Sequence, residues 1–257
     1  MEWHIGANIM WVDCSYYVIE KSNLNRLGLK IMKFKAIAKA SLALGMLATG
    51  VITSNVQSVQ AKTEAKQQSE SELKHYYNKP FFERKNVTGY GFTDKGQHYL
   101  EVTVGQQHSL ITLLGSDKDK YNKDVNPNLD VFVVREGGSR QATNYSIGGV
   151  TKTNSGQYYD YVNVTLLEVK NRNKDPQSSI YYIPKEDISL KELDFKLRKQ
   201  LISQSGLYSN GLKQGQITIT MNDGTTHTID LSQKLEKERM GESIDGRQIQ
   251  KILVEMK

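Results

Sequence analysis

Ser189-Leu190-Lys191-Glu192-Leu193-Asp194-Phe195-Lys196-Leu197-Arg198-Lys199-Gln200-Leu201 is the stretch that decides the fold. Leu190, Leu193, Leu197 and Leu201 recur at spacings of three and four, so they share one face of a helix. Ser189 followed by Glu192 is the capping-box pattern that opens a helix, and Gly206 supplies the stop. Glu192, Lys196, Lys199 and Gln200 fall off the leucine stripe. Asp194 and Arg198, four apart, are expected to form a helix-face ion pair worth a few tenths of a kcal/mol, roughly.

Working outward, Ile217 to Met221 alternates strictly and meets Thr226 to Ile229 across Asn222-Asp223-Gly224, a hairpin signal. A short helix over 232–238 and a strand over 252–255 follow. Ahead of the helix stands the strand Ile180 to Ile183, and before it the polar tract 171–179, containing Asp175-Pro176, is expected to be a linker. Strand, helix, hairpin, short helix and strand make an α+β unit whose helix packs on a mixed sheet. Further upstream, 87–92, 99–104, 109–114 and 129–135 are short β-branched and aromatic runs punctuated by Gly, Asn and Asp. With a further pair at 145–151 and 158–169 they predict a small barrel or sandwich. Residues 71–77 predict a short helix ended by Lys79-Pro80. Tyr90, Phe92 and Tyr99 are expected in the barrel core.

The chain of 257 residues carries 34 Lys+Arg against 28 Asp+Glu, is 38% hydrophobic and has one Cys. That composition excludes full disorder, a multi-span membrane protein, a disulfide framework and a Cys-rich metal cluster. The segment from Met32 joins a lysine-rich start, an apolar stretch over 40–53 and Val59-Gln60-Ala61. This is the layout of a secretory signal peptide cleaved after Ala61, with residues 1–31 as an upstream extension of no clear period. Half of the formal +6 charge lies in residues 1–61. The remainder is too weakly basic for an expected nucleic-acid groove. No membrane span and no nucleic-acid partner are expected.

The run Lys185, Ile188, Leu193-Asp194, Arg198, Leu201 and Leu207-Tyr208 resembles the signature of staphylococcal and streptococcal exotoxins. Ile147-Gly148-Gly149-Val150-Thr151 resembles that family's second motif, with Ile147 in place of Tyr. Arg239-Met240-Gly241 and Ile244-Asp245-Gly246-Arg247 are similar to the superantigen-like subfamily. The resemblance implies an N-terminal OB-fold β-barrel and a C-terminal β-grasp domain joined by a central helix. The expected boundaries are 1–61 for extension and signal, 62–80 for leader and short helix, 81–170 for the OB-fold and 171–257 for the β-grasp domain. It also implies a secreted, non-enzymatic immune-evasion factor. Its partner would be a host plasma or immune-cell protein: an immunoglobulin, a complement component, a clotting factor or a leukocyte receptor.

His227 and Asp230 resemble the zinc pair of mitogenic superantigens, but residues three apart on a strand face opposite ways; no metal and no cofactor are expected. There is no Gly-x-Ser-x-Gly, Cys nucleophile or P-loop. Relatives that bind sialylated glycans imply a site at Thr228, Asp230, Arg239 and Glu242. Here the two acids are exchanged in length, and the preceding segment reads Lys213-Gln214-Gly215-Gln216. The bland alternative is an i, i+3 surface pair between Arg239 and Glu242. Glycan binding, a mitogenic superantigen and a homodimer through the β-grasp sheet edge are the open alternatives. Tracts 140–145 and 234–247 are candidate partner surfaces.

Overall fold

A computed structural model describes residues 68–257, apart from 122–123, 137–141, 156–160 and 173. The expected extension and signal peptide lie outside the described residues. The first element is helix α1 (Glu70–Tyr77). Ser69 caps it: its hydroxyl accepts from the Glu72 amide, and the Glu72 carboxylate accepts from the Ser69 amide. This capping box satisfies two amides that the first turn leaves without helical partners.

Strands β1 (Phe81–Asp94), β2 (Gln97–Val104) and β3 (Gln107–Thr112) form an antiparallel meander. A one-turn helix α2 (Asp117–Lys120) leads to β4 (Asn126–Val134), then β5 (Thr143–Ile147) and β6 (Val150–Lys152). The sheet order is β5-β3-β2-β1-β4-β6. The Glu136 amide donates to the Tyr145 carbonyl at 2.8 Å, which draws the β4 side of the sheet toward β5. β4 reads as an apolar run because both of its faces are covered. Leu129, Val131 and Val133 join Leu100, Val102 and Ile111 in one core, while Phe132 and Val134 enter a second core with the long helix.

The second sheet has the order β11-β10-β13-β7-β8. Its strands are β7 (Asn163–Asn171), β8 (Lys174–Ile183), β10 (Gly215–Met221), β11 (Thr226–Asp230) and β13 (Ile249–Met256). β13 runs parallel to β7, so the sheet is mixed as expected. A small pair, β9 (Asp187–Ser189) with β12 (Ser243–Asp245), flanks it. Helix α3 (Leu190–Gln204) packs on the inner face with Leu190, Leu193, Leu197 and Leu201 buried.

Three local expectations change. The tract 171–179 is no linker: most of it is β8, paired with β7 from Asn171↔Lys174 onward. β8 is an edge strand, where Pro176 and a polar half are tolerated because one side needs no partner. β7, expected in the first unit, pairs in the second sheet. The short helix after β11 is a 3-10 turn at Lys237–Gly241.

The expected capping box of α3 is half formed. The Ser189 hydroxyl accepts from the Glu192 amide, but the buried Glu192 carboxylate pairs with Lys185 and Lys196, both at 2.7 Å. Burial alone would raise that carboxyl, and the two ammonium groups outweigh it and hold it below its ordinary range.

Asp194 and Arg198 also depart from expectation. Arg198 is 0% exposed, and its Nε donates to Asp194 at 2.6 Å. Its remaining donors reach the Tyr208 hydroxyl and the carbonyls of Asp230, Leu231 and Gln233. The Tyr77 hydroxyl of α1 donates to Asp194 at 2.8 Å, and its ring lies under the guanidinium. Burial works against the Arg198 charge, but Asp194 together with the Tyr77 and Tyr208 hydroxyls outweighs it and holds the pKa above the ordinary value. The exotoxin-like signature is thus a buried ionic knot tying α1, α3 and the end of β11.

Gly148 and Gly149, at φ +52 and +79, separate β5 from β6. A Cβ on Gly148 would strike the Met240 carbonyl, and the Gly149 amide donates to that same carbonyl at 2.9 Å. This tight turn is also the point where the first sheet meets the 3-10 turn. Nearby, Asp117 is 0% exposed and neither carboxylate oxygen has a hydrogen-bond partner. Burial raises this carboxyl to about 8, with Lys120 opposing and Asp187 adding to the rise.

Candidate functional site

The β10–β11 hairpin positions the four sequence-named residues. Strand alternation sends Ile229 into the core and leaves Thr228 and Asp230 on the outer face. Thr228 lies opposite Thr218, and Asp230 opposite Gln216. The chain then returns through the 3-10 turn, which carries Arg239 back against β11. Arg239 Nη1 donates to the Thr228 carbonyl at 2.7 Å. Its Nε lies 3.5 Å from Glu242, and Nη1 lies 3.6 Å from Glu236.

Thr228, Arg239 and Glu242 therefore come together. Asp230 shares the outer face of β11, but its carboxylate accepts from the Ser232 amide at 2.8 Å and caps the turn after β11. Its backbone carbonyl receives Arg198, so the strand end is fixed from beneath by the buried knot. Glu236 was missed by the sequence reading. The signal was present: Glu236, Arg239 and Glu242 are spaced by three, which brackets one guanidinium with two acids on a tight turn.

The site is a largely buried cation held between two half-exposed carboxylates beside a threonine-lined strand. Such a group can exchange an internal carboxylate for an external one at little cost, because exposed ion pairs are weak. It holds no nucleophile with an adjacent base. His227 and Asp230 point to opposite sides of β11. Among the described residues, no group of three or more His, Cys, Asp or Glu is placed to hold a metal ion. No helix among them is long and apolar enough to cross a membrane.

Tyr90 and Phe92, expected in the barrel core, are instead exposed on the outer face of the first sheet. Tyr99 is half-buried and stacks on Phe92. Of the tract 140–145, residues 140–141 lie outside the described residues, and Tyr145 is exposed on β5. Much of tract 234–247 is inward: Leu235, Met240 and Ile244 are buried.

A six-stranded curled sheet, a helix, and a mixed five-stranded sheet with this signature define a two-domain bacterial toxin of the OB-fold and β-grasp type. Residues 71–154 match the family described as Staphylococcal superantigen-like OB-fold domain, and residues 162–256 match Staphylococcal/Streptococcal toxin, beta-grasp domain. The chain belongs to the staphylococcal superantigen-like family. It is 79% identical over 226 residues to Staphylococcal superantigen-like 1 of Staphylococcus aureus strain Newman, covering 88% of this chain and all of that one. Among solved structures, exotoxin 6 of Staphylococcus aureus Mu50 is 71% identical with a TM-score of 0.72, covering 74% of this chain and all of that one. The staphylococcal superantigen-like protein SSL5, solved in complex with sialyl Lewis X, is 40% identical with a TM-score of 0.69, again over 74% of this chain and all of that one.

Proposed function

We propose that this chain is a secreted, non-enzymatic immune-evasion protein that occupies a host defence protein and blocks its interactions. One observation carries the reading. Both sheets turn large apolar side chains to solvent: Tyr90, Phe92 and Tyr145 on the first, Val164, Leu166, Ile180 and Tyr182 on the second. Aromatic residues exposed in groups are the usual anchors of protein interfaces. The charged clusters, by contrast, are buried and mutually satisfied around α3.

The test immobilises the chain, passes human plasma at physiological salt, and identifies what is retained. A single dominant protein is expected, with retention lost in Tyr182→Ser or in Tyr90→Ser. Retention of nothing specific, or retention indifferent to both substitutions, overturns the reading.

A second reading has its own support. The contact of Arg239 with the Thr228 carbonyl brings together two of the residues that glycan-binding relatives imply, and SSL5, 40% identical, was solved with sialyl Lewis X. Two features oppose it: Arg239 already faces Glu236 and Glu242, and Asp230 is shorter than the glutamate implied by glycan-binding relatives. Glycan-array binding that disappears in Arg239→Ala supports this reading, and a silent array removes it.

A further inference from the structure

The outer face of the first sheet carries an ordered set of side chains that the β-grasp site does not use. The strand registers align Tyr90, Glu101, Leu110 and Tyr145 in one row across β1, β2, β3 and β5. Phe92 and Tyr99 stand in the next row, ring centroids 5.4 Å apart at 27°. His108, opposite Thr143, stands in the row on the other side. Neighbouring strands are about 4.8 Å apart, so Glu101 has an aromatic ring one strand away on one side and two strands away on the other. These are true outward positions, because Leu100, Val102, Ser109 and Ile111 between them are buried. Tyr90 is 55% exposed, and Phe92 and Tyr145 are each 43% exposed. A cleft of about 200 Å³ opens among Phe92, Glu101, His108, Leu110, Thr143 and Tyr145.

The charge in this cleft is one-sided. Among the described residues, the outward positions of these rows hold no lysine or arginine. Glu101 has one ionic neighbour among the described residues, His108 at 3.6 Å, and the two side chains are 48% and 53% exposed. A carboxylate flanked by accessible ring faces attracts a cation twice over, by ion pairing and through the ring quadrupoles. A planar guanidinium fits best, because it can stack on a ring while donating in the plane to a carboxylate. A polyanion such as a nucleic acid meets no compensating positive charge here.

We infer that this face of the OB-fold half is a recognition cleft for an arginine side chain on a protein partner, with Glu101 as the charge partner and Tyr90, Phe92 and Tyr145 as stacking walls. The inference uses the host-protein reading only to choose a protein as the source of the cation. Its test needs no identified partner.

Isotope-labelled full chain is titrated by NMR with an acetylated, amidated glycine–arginine–glycine peptide, with its citrulline counterpart and with sialyllactose. Citrulline keeps the shape of arginine and removes the charge. Saturable shifts are expected at the amides of residues 90, 92, 101, 108 and 145 with the arginine peptide. Binding is expected to weaken at least about tenfold with citrulline and in Glu101→Gln, since both remove a charge-assisted pair. Sialyllactose is expected to leave these amides in place. Both Glu101→Gln and Tyr145→Ala are exposed substitutions whose folding is checked by a melting curve. If Tyr145→Ala lowers the melting point, Glu101→Gln alone decides. Shifts scattered over the molecule, equal binding of citrulline, or undiminished binding by Glu101→Gln overturn the inference. An empty plasma capture would leave these shifts standing, and absent shifts would leave a captured plasma protein standing.

Discussion

Two arginines that look alike in the sequence behave in opposite ways. Arg198 and Arg239 each sit three or four residues from an acid, and spacing alone makes both of them surface pairs. Arg198 is instead sealed by Tyr77 from α1 and by the carbonyls after β11, residues distant in the chain that no local pattern brings together. Arg198→Met should therefore destabilise the protein by about 3–5 kcal/mol, because it strands the buried Asp194 carboxylate. Arg239→Ala should cost less than about 1 kcal/mol. Urea titration of both variants checks the contrast.

Asp117 makes a prediction about pH at the same scale. In the unfolded chain its carboxyl ionises near the ordinary 3.8, whereas burial lets the folded protein hold that proton up to about 8. Between those values the folded state binds the extra proton, so stability falls as pH rises from about 4 to about 8 and loses nothing further from this group above that. Asp117→Asn should remove this slope and raise stability at neutral pH, by roughly 1–3 kcal/mol, as it relieves an unpaired buried acid. Denaturation midpoints measured at pH 5, 7 and 8 against the parent protein would reveal an unchanged slope if this is wrong.

At the scale of elements, legibility followed burial. α3 and the β10–β11 hairpin were readable because each buries one face, which imprints a period of 3.6 or 2 on the sequence. The end of β8, Ile180 to Ile183, is legible as strand, but its first half reads as a linker because an edge strand needs neither strict alternation nor the absence of proline. β9, β12 and α2 are too short to leave a period. The candidate site was half legible: the family resemblance named Thr228, Asp230, Arg239 and Glu242, but only the folded turn shows Asp230 spent on Ser232 and Glu236 added.

Glycines divide in the same physical way. Gly148→Ala must adopt φ +52 and also push aside the Met240 carbonyl, so it should cost about 2–4 kcal/mol. Gly224→Ala, at φ +84 with open space around it, should cost only about 1 kcal/mol. Thermal melts of the two variants would separate backbone strain from collision.

For the whole molecule, the signature that marks the family serves stability, and the two proposed recognition sites lie outside it. Conversion of Arg239 should silence glycan binding while leaving the Glu101 cleft intact, and conversion of Glu101 should do the reverse. Paired titrations of the two variants would expose any coupling between the halves.

The order of strands adds a consequence for biosynthesis. β13, the middle strand of the second sheet, is the one farthest downstream of the five. A ribosome delivers β7, β8, β10 and β11 while their shared neighbour is still missing. A nascent chain halted before Ile249 would hold two strand pairs with Leu167, Ile217 and Ile219 uncovered. That half can complete its sheet only once residue 256 has emerged, so a chain cut short of β13 leaves both strand pairs without their common neighbour.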